Sequence, residues 1–168
     1  MIHVCSLARL HETIDSTGAR HVVTCLRRSD EVRLEGRIAR ENHLVLNMDD
    51  IATPMDGYTA PADEHVSRLI KFVTGWERAA PLVVHCFAGI SRSSASAYVS
   101  ACALNPQRDE MQIAQELRNA SRTAMPNVRI VSLADRLLKR NGRMIRAIEA
   151  IGPGDFATEG TPFLLSLG

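Results

Sequence analysis

The 168-residue sequence has little charge of one sign. Twenty Lys and Arg stand against nineteen Asp and Glu, a formal net charge of +1, so no global field argues for nucleic acid or an anionic membrane surface. It has no internal repeat, and glycine and proline are too few for a disordered or collagen-like chain. The start, MIHVCSLARLHETIDS, lacks a signal-type apolar core and any spanning apolar stretch, so a cytoplasmic protein without membrane partners is expected. The four cysteines (Cys5, Cys25, Cys86, Cys102) form no C-x-x-C pair, and a domain of this size needs no disulfide staples, so reduced thiols are expected. The six histidines are scattered singly. Without zinc-type spacings, neither a metal nor another cofactor is expected.

What is present is a regular alternation. Apolar runs at 2–5 (IHVC), 21–26 (HVVTCL), 43–48 (HLVLNM) and 81–86 (PLVVHC) read as buried strands. Between the first two, Leu7, Leu10 and Ile14 recur at helical spacing behind a candidate Ser6 cap, and Gly18 ends that helix. Val66, Leu69, Ile70 and Val73 mark another helix, opened by the first-turn acids Asp63 and Glu64. Residues 95–104, 111–120 and 127–151 read as helices, the last broken at Asn141-Gly142. Strands and helices alternating at this interval predict an α/β fold, a mainly parallel central sheet flanked by helices. The length predicts a single domain. The Gly- and Pro-rich 153–168 reads as a loose tail, although 163–167 could dock on the body or on a partner.

The chemistry concentrates in HCFAGISRS, residues 85–93. A loop that leaves a strand and opens a helix aims several amides at one point, where the helix dipole favours an anion. Such a place suits a phosphate, and it also suits a thiolate: a cysteine there falls from a pKa of ~8.5 into the range ~3.5–7.5. Arg92 follows where a short loop curls back, and its planar fork can clamp two phosphoryl oxygens. Gly89 relieves the turn, Ser91 and Ser93 can donate to the sulfur or help its departure, and His85 can orient the loop from behind. By background frequencies a bare Cys-x5-Arg arises in roughly one chain in ten, the five fixed positions together in about one in a hundred thousand. Cys5 and Cys25 lack an arginine at the sixth following position.

His85-Cys86-x-x-Gly89-x-x-Arg92-Ser93 resembles, with no departure, the signature loop of the cysteine-dependent protein tyrosine and dual-specificity phosphatases. The resemblance covers about residues 1–152 and implies a single compact dual-specificity-like catalytic domain there, with hydrolysis of phosphate monoesters through a phosphocysteine on Cys86. Phosphate would be bound by Arg92 and the backbone of Phe87, Ala88, Gly89, Ile90 and Ser91. It also implies an acid in a loop after the strand preceding the cysteine strand, which points to Asn47-Met48-Asp49-Asp50-Ile51. Asp50 is preferred because it lies just past the strand end, with Asp49 and Asp56 as the other candidates. Asn127 is similar to an asparagine that buttresses this loop in related enzymes, or it is an N-cap for the next helix. Tyr58 could line the pocket or simply pack at the surface. Phe87, Ala88, Ile90 and Ser91 carry no charge, which argues against inositol lipids and for a phosphorylated protein or peptide, with phosphotyrosine preferred by family likeness. Arg136, Lys139, Arg140 and Arg143 read as a solvated basic stripe. The alternatives are a phosphate-binding pseudophosphatase without a working acid, and a redox role for Cys86 with Cys5 or Cys102.

Overall fold

In the computed structural model, which describes residues 1–28 and 32–168, five strands form one sheet in the order β3-β2-β4-β1-β5. The strands are β1 (Ile2–Ser6), β2 (His21–Leu26), β3 (His43–Asn47), β4 (Leu82–Cys86) and β5 (Phe163–Leu165). The first four are mutually parallel, and β5 runs antiparallel along β1, pairing Val4 with Phe163 and Ile2 with Leu165. All five residues of β4 are buried. A strand covered on both faces needs the continuous apolar run that PLVVHC supplies.

One face carries α2 (Asp63–Thr74), α3 (Arg92–Leu104), α4 (Glu110–Ala120), α5 (Val128–Leu137) and α6 (Arg143–Ile151) over the larger core. The other face carries α1 (Leu10–Thr17), whose Leu10 and Ile14 pack with Cys5, Val22, Leu34, Ile38 and Val83. Helix α1 begins after Arg9, not at Ser6, which is the last residue of β1; the Ser6 hydroxyl accepts from the Arg9 amide at 3.3 Å in the connecting turn. Gly18 closes α1 at φ 67°, its amide bonded to the Ile14 carbonyl, a conformation open to glycine at no steric cost. Helix α3 crosses behind the sheet with Ala95, Ala97 and Ala101 buried beside Ser94, Ser96 and Ser100. Small side chains allow that close approach, and the Ser100 hydroxyl is satisfied by the Ser96 carbonyl at 2.7 Å.

Two expectations change. The 153–168 stretch is not a loose tail: of the two readings it is the docking of 163–167 on the body that holds, with 163–165 forming the edge strand β5, because Phe163 and Leu165 have an apolar face to bury and β1 offers an open ladder edge. In the basic stripe Arg136, Lys139 and Arg143 are exposed as expected, and Arg140 is the exception. Arg140 is buried and donates to Glu110 Oε1 at 2.8 Å and to the Cys102 carbonyl at 2.9 Å. Arg143 meets the same carboxylate at 3.0 Å, and Arg136 pairs with Asp63. Glu110 comes from α4, so Arg140, in the turn between α5 and α6, is drawn inward by a helix distant in sequence.

Candidate active site

Parallel strands deliver their carboxyl ends to one edge of the sheet, and the site lies there, where β4 passes into α3. Cys86 is the last residue of β4 and 1% exposed. Its Sγ lies 3.1 Å from Ser93 Oγ and receives the Gly89 amide at 3.3 Å. The loop keeps its carbonyls facing outward. Those of Phe87, Ala88, Ile90 and Ser91 accept from the amides of Leu7 (3.1 Å), Gly160 (2.8 Å), Met125 (3.0 Å) and Asn127 (3.3 Å). Gly89 adopts φ 73°, and a Cβ there would lie 2.7 Å from the Ser6 nitrogen. A side chain at this position would meet both steric and torsional penalties. Phe87 stands at the rim, 69% exposed.

Arg92 opens α3 and is 8% exposed. One nitrogen, Nη1, donates to the Met48 carbonyl at the end of β3 at 2.9 Å, while Nε is buried with no hydrogen-bond partner among the described residues. A buried guanidinium N–H without an acceptor is costly. A phosphoryl oxygen would satisfy it.

The three candidate acids part company. Asp50 lies over the loop: its Oδ1 accepts from Ser91 Oγ at 2.7 Å and Asn127 Nδ2 at 2.9 Å, and its Oδ2 is 3.9 Å from Arg92 Nε. Asp49 is turned away and buried, its Oδ2 taking the Thr59 amide at 2.7 Å and its Oδ1 lying 3.6 Å from Arg27. Asp56 is exposed in the turn beyond. The two serines also separate, Ser93 to the sulfur and Ser91 to Asp50. Asn127 fills both readings, since its Oδ1 caps α5 by accepting from Arg129 and Ile130 while its Nδ2 and amide hold Asp50 and Ser91. Tyr58 is exposed, under the Arg27 guanidinium at 5.2 Å from its ring centre.

Behind Cys86, His85 is fully buried and its Nε2 meets Thr24 Oγ1 at 2.8 Å; the same hydroxyl meets His43 Nε2 at 2.8 Å. One hydroxyl proton serves only one acceptor, so one of the two imidazoles presents an Nε2–H. Burial, followed by repulsion from His43, pulls the His85 pKa down to about 3 and keeps it neutral. The other three thiols are driven the opposite way by burial, Cys5 up to about 11 and Cys25 and Cys102 up to about 12. Sequence reasoning missed Ser6, Glu159 and Gly160, which meet at the back of the loop; Ser6 Oγ donates to Glu159 Oε1 at 2.5 Å. Among the described residues no cluster of three or more His, Cys, Asp or Glu could hold a metal, and no helix is long and apolar enough to cross a membrane.

A strand-end cysteine in a loop of outward carbonyls, with a buried arginine at the start of the following helix, is an arrangement able to hold a phosphoryl group beside a sulfur. The protein-tyrosine phosphatase family model matches residues 52–129, which include the whole loop and Asn127. Among solved structures, the chain is similar to DUSP15, with TM-score 0.65 and 15% identity over 94% of each chain. It is also similar to the PTP-2 phosphatase of Cydia pomonella, with TM-score 0.64 and 19% identity over 80% of this chain and 84% of that one. Human DUSP28 follows at TM-score 0.62 and 16% identity over 83% and 89%. These likenesses are of fold. No curated protein matches the sequence significantly. The family model, which covers a little under half of the chain, and the fold make the chain similar to the protein-tyrosine phosphatases, with the compact architecture of the dual-specificity phosphatase structures.

Proposed function

We propose that the protein hydrolyses phosphate monoesters on phosphorylated proteins or peptides, phosphotyrosine foremost, through a phosphocysteine at Cys86. The Cys86 sulfur attacks phosphorus, the bond to the leaving oxygen breaks, and Asp50 gives that oxygen its proton. Water then attacks the phosphocysteine, Asp50 takes the proton, and sulfur departs with its electron pair, helped by the Ser93 hydroxyl. Arg92 holds two equatorial oxygens, with Nε as one donor, and the loop amides hold the rest. His85 and Asn127 act behind these groups, the first steadying the strand end and the second fixing Asp50.

The observation that carries this reading is the buried, unpaired Arg92 Nε, with Asp50 at 3.9 Å, beside a loop whose carbonyls are held outward. The uncharged Phe87, Ala88, Ile90 and Ser91 support a singly phosphorylated side chain over a polyanionic lipid head group. The test is a metal-free hydrolysis panel of phosphotyrosine and phosphothreonine peptides, a phosphoinositide and a nucleotide, run with wild type and Cys86→Ser. Fastest turnover of the phosphotyrosine peptide, lost in Cys86→Ser, is expected. Vanadate binding without turnover of any substrate would make the protein a pseudophosphatase.

A further inference from the structure

The peptide between Ala88 and Gly89 sits at the centre of the signature loop, and its two ends have different partners. Its N–H, on Gly89, points at the Cys86 sulfur at 3.3 Å. Its C=O, on Ala88, accepts the Gly160 amide at 2.8 Å. A trans peptide is rigid and planar with N–H and C=O opposed, so holding one end fixes the other. This peptide is also the one in the loop most free to turn over, because Gly89 has no Cβ to resist a change of φ. A flip would withdraw an N–H from the sulfur and present a carbonyl dipole to the incoming phosphate.

The neighbouring carbonyls are held from within the body: Phe87 by Leu7, Ile90 by Met125, Ser91 by Asn127. The Ala88 carbonyl is held by a strap, residues 153–162, that runs from α6 to β5. The strap is fastened along its length. Gly154 passes so close to Thr123 and Ala124 that a Cβ would lie 2.7 Å from their backbone. The Asp155 amide donates to the Arg122 carbonyl at 2.8 Å. Glu159 accepts from Ser6, which is fully buried and in register with Cys86 across β1 and β4. Gly160 is buried, and a Cβ there would lie 2.9 Å from the Gly89 oxygen and 3.3 Å from Ile90 Cγ1. Beyond it, β5 ties the strap to the sheet edge.

We infer that the 153–162 strap is a positioning element of the active site, its Gly160 N–H locking the Ala88–Gly89 peptide so that the Gly89 N–H faces the sulfur and the phosphate. This rests on the phosphocysteine reading above. Glu159 is the positioning residue that sets the strap's height over the loop by its bond to Ser6, and Gly160 is glycine because a methyl group would push the loop it holds.

The test uses Gly160→Ala, Glu159→Ala and Glu159→Gln in the full chain, with thermal melting as the control for folding. Two readouts are made besides turnover: vanadate inhibition, and the pH profile of Cys86 alkylation by iodoacetate, which reads the sulfur without turnover. Gly160→Ala is expected to lower kcat/KM on the order of 10²-fold, as loss of one preorganised donor does. Its vanadate inhibition weakens about tenfold and its alkylation profile moves to higher pH. Glu159→Ala moves both readouts the same way by a smaller factor, and Glu159→Gln, which still accepts from Ser6, restores them. Should Gly160→Ala fail to fold, the Glu159 pair decides the matter. Wild-type alkylation and vanadate profiles in folded Glu159→Ala and Gly160→Ala would overturn the inference while leaving phosphocysteine chemistry intact. Absence of Cys86-dependent turnover in the wild type would instead sink the chemistry, and the alkylation profiles would still report on the strap.

Discussion

Cys25 and Cys86 are register partners at the ends of two neighbouring parallel strands, and both are buried. What separates them is the chain that follows. After β2 the chain continues into Arg27 and Arg28, and Cys25 Sγ meets Ser96 Oγ at 3.4 Å in the apolar layer under α3, where burial drives its thiol up to about 12. After β4 the chain curls at once into α3, and Cys86 receives the Gly89 amide and meets the Ser93 hydroxyl, with Arg92 buried at the start of that helix. The difference teaches that residue type and burial do not set the two sulfurs apart. The orientation of the next six peptides does.

The widest gap between the two positions should come from removing each sulfur. Cys86→Ser is expected to cut turnover by on the order of 10⁴-fold or more, since a hydroxyl without a general base cannot replace the sulfur as attacking group. Cys25→Ala should keep wild-type turnover and lower stability by about 1 kcal/mol; steady-state kinetics and denaturant melts on both read the contrast. Equal activity of the two variants would break the comparison. Next comes Arg92→Lys, which keeps the charge but loses the fork that reaches Met48 and leaves Nε for phosphate. A loss of about 10³-fold in kcat/KM is expected.

Asp50→Asn sharpens the same point within one dipeptide. It should slow hydrolysis of substrates with poor leaving groups by about 10²-fold and para-nitrophenyl phosphate far less, because only the former need the proton. Asp49→Asn, which can still accept from Thr59, should stay within about threefold of wild type. The smallest effect is on stability against pH. Burial holds the His85 pKa at about 3, below the ordinary 6.5, so the unfolded chain binds more protons at this site between those values. The stabilisation from a neutral His85 is therefore full above about pH 6.5 and is lost progressively as pH falls toward 3. Urea midpoints of the wild type should fall over that window more steeply than those of His85→Gln.

How much is legible in the sequence follows from whether the determining contacts are local. The four parallel strands announce themselves as continuous apolar runs, and the loop from His85 to Ser93 carries its geometry in its own residues, with glycine at φ 73° and arginine at the first turn of α3. Asp50 is separable from Asp49 in sequence only by its place past the strand end; its bonds to Ser91 and Asn127 span 41 and 77 residues. Arg140 reads as solvent-facing because it falls in a run of basic residues, while the Glu110 that pairs with it in the interior lies 30 residues away on α4. The strap is illegible for the same reason. Gly160 and Ala88 have no sequence feature in common, and a stretch rich in Gly and Pro reads as loose until its amide is seen on the nucleophile loop.

Phosphate passing through the sulfur of residue 86 is the claim on which the rest depends. Mixing the enzyme with excess phosphotyrosine peptide, quenching in acid within one turnover and mapping the digest by mass spectrometry tests it directly. One phosphoryl group is predicted on the peptide carrying Cys86, and none on Cys5, Cys25 or Cys102. Steady turnover with residue 86 unmodified at every quench time, or with the phosphoryl group on another side chain, would contradict it.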